Sequence, residues 1–231
     1  MALASEPGSP VLESVALGPP ARQSELLPGA LGELLARHGL KARDLKGAVV
    51  GLGPGSFTGL RIGLATIKGL AYGSGFPVWG LSSLEAVAWA GAEGVPLLAC
   101  ALARREELYV ARYVRTGSAL RCDGTAEAWS LAESIQWLQD HPTAIALGPG
   151  ANEYAARMRE AGVAEGQLDL SIPFPRAEAL LALWAGQRGD SREPASLFSL
   201  EPVYVRSSSA ERNPQFPPAP GPAPTSRLRE S

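Results

Sequence analysis

The sequence predicts an α/β fold. Two features carry that reading: a strand, glycine turn, helix and second strand packed into Gly47 to Gly80, and a further alternation of strand and helix patterns from Pro96 onward. Length and composition agree, since 231 residues of which 45% are hydrophobic can bury a sizeable core. The mean hydropathy of +0.01 is that of a soluble globular protein.

The stretch from Gly47 to Gly80 organises the rest. Ala48-Val49-Val50 is a short β-branched run; Gly51, Gly53, Pro54 and Gly55 then break the strand. Ser56 or Thr58 caps a helix that runs to about Tyr72, and Gly73 and Gly75 stop it. Phe76-Pro77-Val78-Trp79 reads as a second strand, so the whole is a βαβ unit with its helix laid across a parallel pair.

That helix is apolar almost all round. At ~100° per residue, Arg61, Lys68 and Tyr72 share one narrow stripe, while Leu60, Ile62, Gly63, Leu64, Thr66, Ile67, Gly69, Leu70 and Ala71 cover nearly all the rest. One sheet cannot cover so much apolar surface. Gly59 and Gly63, and Ala65 and Gly69, recur at i, i+4. Each glycine costs the helix ~1 kcal/mol, so close backbone approach of a second helix, from this chain or another, is expected there.

The glycine turn admits three readings. A phosphate cradle would use backbone N–H groups at a helix N-terminus. Yet Gly51-Leu52-Gly53-Pro54-Gly55-Ser56 lacks the third glycine of the dinucleotide fingerprint, and no Gly-Lys-Ser/Thr follows. The second reading is a purely structural turn. The third, preferred here, is a turn that presents the helix to a partner.

Residues 2–17 read as two short strands, Ala2-Leu3-Ala4 and Val11 to Leu17, around Pro7-Gly8-Ser9-Pro10. A first helix begins with Ser24 as cap, carries Pro28 in its first turn and ends before Gly39. Leu27, Leu31, Leu34 and Leu35 make one face, which Leu26 and Ala30 widen to about half the circumference. Glu33 and Arg37 pair on the other side, and His38 reads as a helix-end or partly buried histidine. Ser82 or Ser83 caps a helix over Leu84 to Ala92. Strands follow over Pro96 to Leu102 and Leu108 to Val114, with an edge strand from Ala119 to Cys122. Then come helix Leu131 to Gln139, strand Ala144 to Leu147, the glycine turn Gly148-Pro149-Gly150, helix Ala151 to Ala161, helix Glu178 to Gln187 and an extended segment from Glu201 to Arg206. Six of the 20 prolines lie in 207–231, so that tail is expected to be disordered or polyproline-like.

Composition bounds the function. A net charge of −2, with only Lys41, Lys46 and Lys68 as lysines, argues against strong independent grip on nucleic acid, which draws its affinity from neutralised phosphates. No apolar run is long enough to span a membrane, and the N-terminus lacks a basic start and an apolar stretch, so a cytoplasmic location is expected. Cys100 and Cys122 read as free thiols. His38 and His141 lie far apart, so no metal site is expected.

The string GPGSFTGLRIGLATIKGLA, from Gly53 to Ala71, resembles the signature of the TsaB (YeaZ) family, the non-catalytic partner of the TsaD enzyme in making threonylcarbamoyladenosine in tRNA. The resemblance continues through Gly80-Leu81-Ser82-Ser83-Leu84-Glu85-Ala86, Arg104-Arg105-Glu106-Glu107-Leu108-Tyr109, Gly148-Pro149-Gly150-Ala151 and Glu201-Pro202-Val203-Tyr204-Val205-Arg206, covering roughly residues 2–206. It implies two RNase H-like lobes of the actin-like ATPase superfamily: an N-terminal lobe over 1–94 with a shortened β-meander, a C-terminal lobe over 95–206, and the tail 207–231.

The resemblance also implies what the site is. Gly53, Pro54, Gly55, Ser56, Phe57 and Thr58 form the signature loop, and the first two helices meet a TsaD-like catalytic subunit through Leu27, Leu31, Leu34, Gly59, Arg61, Gly63, Leu64, Ile67 and Leu70. A TsaE-like ATPase, ATP and tRNA join through the complex, and the chain has no cofactor of its own. Active relatives of the fold carry two aspartates near the phosphates. Here Glu6 stands nearest the first, and Leu102-Ala103-Arg104 replaces Asp-Ala-Arg at the second. Two rivals remain: an independent nucleotide-dependent enzyme or the peptidase that old family labels suggest, and a homodimer using the same helices when the partner is absent.

Overall fold

The structure is a computed structural model and describes residues 1–6, 8–17, 23–186 and 193–205. β1 (Ala2–Ala4) pairs antiparallel with β2 (Val11–Ser14), which stops before the predicted Leu17. Glu6 sits in the exposed turn between them. Helix α1 (Gln23–Arg37) starts one residue before Ser24, so Pro28 falls in the second turn instead of the first. Ser24's side chain, the residues Gly18-Pro19-Pro20-Ala21 and the tail 207–231 lie outside the described residues. The end of α1 is closed by the Leu40 N–H, which returns to the Leu35 carbonyl at 2.9 Å around Gly39. Arg37 donates to Glu13 at 2.7 and 3.0 Å, and His38 Nε2 lies 3.0 Å from the same carboxylate. Those contacts tie the helix end to β2. The Arg37 guanidinium, followed by His38, holds the Glu13 carboxyl below its ordinary range.

The βαβ unit is present. β3 (Ala48–Gly51) runs parallel to β4 (Val78–Leu81), joined by α2 (Phe57–Ser74). β4 begins two residues later than the sequence suggests, because Phe76 is buried in the core and Pro77 accepts the Ala48 N–H just before the ladder starts. Gly75, not Gly73, terminates α2. Leu64 and Ala71 turn into a core of Phe76, Val78 and Leu200, with Ile67 and Leu70 against its edge. α1 packs on α2 and covers part of its apolar circumference, but a Cβ at Gly63 or Gly69 meets no atom within 4 Å, so the small-residue stripe stays open.

α3 (Ser83–Trp89) starts at a capping box in which the Ser82 hydroxyl accepts from Leu84 and Glu85 accepts the Ser82 N–H at 3.2 Å. One side of α3 meets a five-stranded sheet in the order β7-β6-β5-β8-β9, built from β5 (Pro96–Leu102), β6 (Glu107–Thr116), β7 (Ala119–Ser130), β8 (Ile145–Leu147) and β9 (Leu168–Asp169). β5 and β8 are parallel, and β5, β6 and β7 form an antiparallel meander. α4 (Leu131–Asp140) and α5 (Pro149–Glu160) cover the other face over Leu98, Cys100, Leu108 and Val110. β7 runs well past the predicted Cys122, and β9 was not anticipated.

The last elements return to the start of the chain. α6 (Ala177–Gly186) packs on α3, β3 and β1, with Ala179, Leu180 and Leu183 against Leu81 and Ala86. Residues 195–205 return to the β3–β4 pair: Ala195 donates to the Val78 carbonyl of β4 at 3.0 Å and Val203 to the Leu52 carbonyl just after β3 at 2.8 Å. Both segments, placed in 95–206 by the sequence reading, thus pack with the elements of 1–94. The segment from Glu201 to Val205 is irregular rather than a strand, and Arg206 lies outside the described residues.

Candidate interaction site

The signature loop leaves β3 and turns into α2, and both backbone polar groups of Gly53 are engaged inside the chain. The Gly53 N–H donates to the Ser83 hydroxyl at 3.1 Å, and the Gly53 carbonyl accepts from the Ser83 N–H at 2.7 Å and the Ser82 hydroxyl at 3.3 Å. Gly53 and Pro54 are buried. The φ of +100° at Gly53 favours glycine, and a side chain there would meet Leu60 Cδ1 at 2.7 Å. Gly55 has open space around it, and Ser56 caps α2 by accepting the Gly59 N–H at 3.2 Å. Thr58, the alternative cap, lies exposed in the first turn.

The loop therefore fixes where α2 begins. Phe57, 44% exposed, stands in its first turn with the Arg61 guanidinium 4.0 Å above its ring, and Tyr204 adds a second ring 5.6 Å away. Arg61 Nε donates to the Tyr204 hydroxyl at 3.1 Å. Beyond this cluster the exposed face of α2 is small and flat, running through Ala65 and Gly69 to Tyr72, which is 78% exposed. A Cβ built at Gly63 or Gly69 meets no atom within 4 Å.

The nine residues assigned to a partner face divide. Leu34 is 1% exposed in a core with Leu3 and Leu35, and Leu64 is 6% exposed in the core under α2, so both are taken by the chain's own packing. Ile67 and Leu70 are half-buried against that same core. Leu27 and Leu31 are half-buried on α1, with Leu26, Gly29 and Gly32 exposed beside them. Gly59 is half-buried against Ser56, Arg61 is exposed, and Gly63 faces open space. Phe57, Tyr72 and Tyr204 complete the surface. The sequence reading places Phe57 in the signature loop, Tyr72 on the narrow stripe with Arg61 and Lys68, and Tyr204 in the terminal extended segment, so none of the three enters the predicted face.

The second glycine turn is structural. Gly148 has a φ of +99°, and a Cβ there would meet the Cys100 carbonyl oxygen at 2.6 Å, so the chain passes too close to β5 for a side chain. Burial pushes the Cys100 thiol up to about 12 and the Tyr113 phenol above its ordinary range, which leaves both groups neutral at physiological pH. Leu102 is 42% exposed at the end of β5. Among the described residues no three His, Cys, Asp or Glu side chains gather as metal ligands, and no helix is long and apolar enough to cross a membrane.

Comparison with known proteins matches this geometry to a family. The profile of the family TsaD: tRNA N6-adenosine threonylcarbamoyltransferase matches residues 21–175. An uncharacterized protein of Mycobacterium tuberculosis is 33% identical over 200 residues, 86% of this chain and 82% of its own. The tRNA threonylcarbamoyladenosine biosynthesis protein TsaB of Haemophilus influenzae is 30% identical over 190 residues, 76% of each chain, and its namesake in Escherichia coli is 29% identical over 199 residues, 84% of each. Among solved structures, YeaZ from Pseudomonas aeruginosa superimposes with a TM-score of 0.67 at 28% identity, covering 88% of this chain and 92% of that one. Since a relative named TsaB is 30% identical over 76% of both chains and the YeaZ structure superimposes over most of both, the chain belongs to the TsaB (YeaZ) family.

Proposed function

We propose that this chain is the non-catalytic, activating subunit of the complex that makes threonylcarbamoyladenosine in tRNA. The observation that carries the reading is the extended similarity to proteins named for threonylcarbamoyladenosine biosynthesis. In this reading the chain is cytoplasmic and built as two RNase H-like lobes of the actin-like ATPase type. It binds a TsaD-like catalytic subunit through the outward faces of α1 and α2, and a TsaE-like ATPase, ATP and tRNA are engaged through the assembly.

The site supports a docking role over a catalytic one. Leu102 stands where active relatives of the fold have an aspartate, and a leucine offers nothing to a metal or a phosphate. Glu6, the other candidate, lies on an exposed hairpin turn. The Gly53 amide, which a phosphate cradle would use, is already bonded to Ser83. What remains outward is a small-residue helix surface ending in an arginine and two aromatic rings, groups that suit a protein interface.

Capture of partners by the tagged full chain from its own cytosol tests the proposal. Recovery of the threonylcarbamoyltransferase subunit is the expected result. Recovery of the chain alone as a dimer, or ATP turnover by the purified chain that Glu6→Gln abolishes, would overturn it.

A further inference from the structure

The C-terminal segment does more than cover an edge. Leu200 is 3% exposed and drops into the space left by Gly80, where a Cβ would come within 2.9 Å of its Cδ1. Three residues further on, the Val203 N–H reaches the Leu52 carbonyl, one residue before the signature loop. Tyr204 follows, and its hydroxyl and ring engage the two exposed side chains at the start of α2, Arg61 and Phe57. Residues some 140 positions apart in sequence thus meet on the surface in one cluster, the guanidinium stacked on the Phe57 ring and bonded to the Tyr204 hydroxyl, with the two rings beside each other.

We infer that Tyr204 is a positioning residue for partner docking: the strap from Leu200 to Tyr204 holds Arg61 and Phe57 in one arrangement that fits a carboxylate flanked by apolar side chains on the catalytic subunit. This rests on the proposed role as a docking subunit. The physical basis is preorganisation. A free arginine and an exposed phenylalanine lose rotamer freedom when a partner closes on them, and ordering them beforehand removes that cost, worth about tenfold in affinity for two side chains. The Arg61 charge supplies the complementarity, and the ring beneath it keeps the guanidinium flat and facing outward.

The test is a double-mutant cycle on the affinity of the full chain for the purified catalytic subunit, with melting temperatures measured alongside. Tyr204→Ala is expected to weaken binding about tenfold with little change in melting. Tyr204→Phe keeps the ring and recovers part of the loss. Arg61→Ala/Tyr204→Ala loses less than the sum of the two single losses, because part of what Tyr204 does is done through Arg61. Wild-type affinity in Tyr204→Ala, or strictly additive losses in the double variant, would overturn the inference while leaving the docking role intact. If Tyr204→Ala melts early, Tyr204→Phe decides, and an unchanged affinity there is the contrary result. A wild-type chain that fails to bind the catalytic subunit overturns the docking role itself, and the inference with it.

Discussion

Gly63→Arg separates folding from docking. A Cβ at this position meets no atom within 4 Å, so the new side chain starts into open space rather than into the chain's own core. Arginine is a better helix former than glycine by about 1 kcal/mol, which for a chain of this size raises the melting temperature by roughly 2–4 °C. The complex should respond in the opposite sense. Packed helices sit about 8–10 Å apart, and an arginine at a small-residue contact must either force them apart or be buried with its charge unpaired, at a cost of several kcal/mol. A loss of only about 3 kcal/mol already weakens binding by more than a hundredfold. Circular dichroism melting and titration against the catalytic subunit read the two effects separately. The reasoning fails if the variant melts several degrees below wild type, which would place Gly63 against the chain's own packing. It fails equally if a stable variant binds normally.

Other substitutions probe the frame that holds the site. Gly148→Ala combines a left-handed φ with a 2.6 Å clash against the Cys100 carbonyl oxygen, so it should cost roughly 2–5 kcal/mol and lower the melting temperature by about 5–15 °C. A melt unchanged within a degree would show that β5 and α5 are not so closely set. The two cysteines should differ in reactivity: burial raises both thiols, but Cys122 is an exposed residue whereas Cys100 is buried and held at about 12, so iodoacetamide at pH 8 should label Cys122 first and leave Cys100 unmodified until the chain unfolds. Mass spectrometry of the labelled peptides checks this, and equal labelling in the native state would contradict the packing around β5.

The parts of the fold that could be read from sequence are those whose signals are local. Val49, Val50, the glycine turn and Ser56 announce a strand, a break and a capped helix within a few residues, and all of them are present. β9 has two residues and so no periodicity to detect. β7 escaped beyond Cys122 because Asp123, Gly124 and Thr125 lie on an exposed edge next to a register shift, where the alternation that marks a half-buried strand is lost. The site was only half legible for a different reason. Counting apolar residues around α2 shows that a second helix must cover it, yet cannot tell α1 of the same chain from a partner. Leu34 and Leu64, which the family resemblance puts on the partner face, pack inward. Tyr204 could not be placed beside Arg61 from sequence, since that contact depends on the return of the C-terminal segment across the whole chain.

The central claim, that this chain activates a modifying enzyme it docks to, is tested most directly by reconstitution. The catalytic subunit, the ATPase subunit, ATP, a donor of the threonylcarbamoyl group and unmodified tRNA are combined with and without the full chain, and threonylcarbamoyladenosine is measured by mass spectrometry of the digested tRNA. Modification is expected only when the chain is present, restored by wild type and not by Gly63→Arg. Modification at full rate without the chain, or full activity with the Gly63→Arg variant, would contradict it.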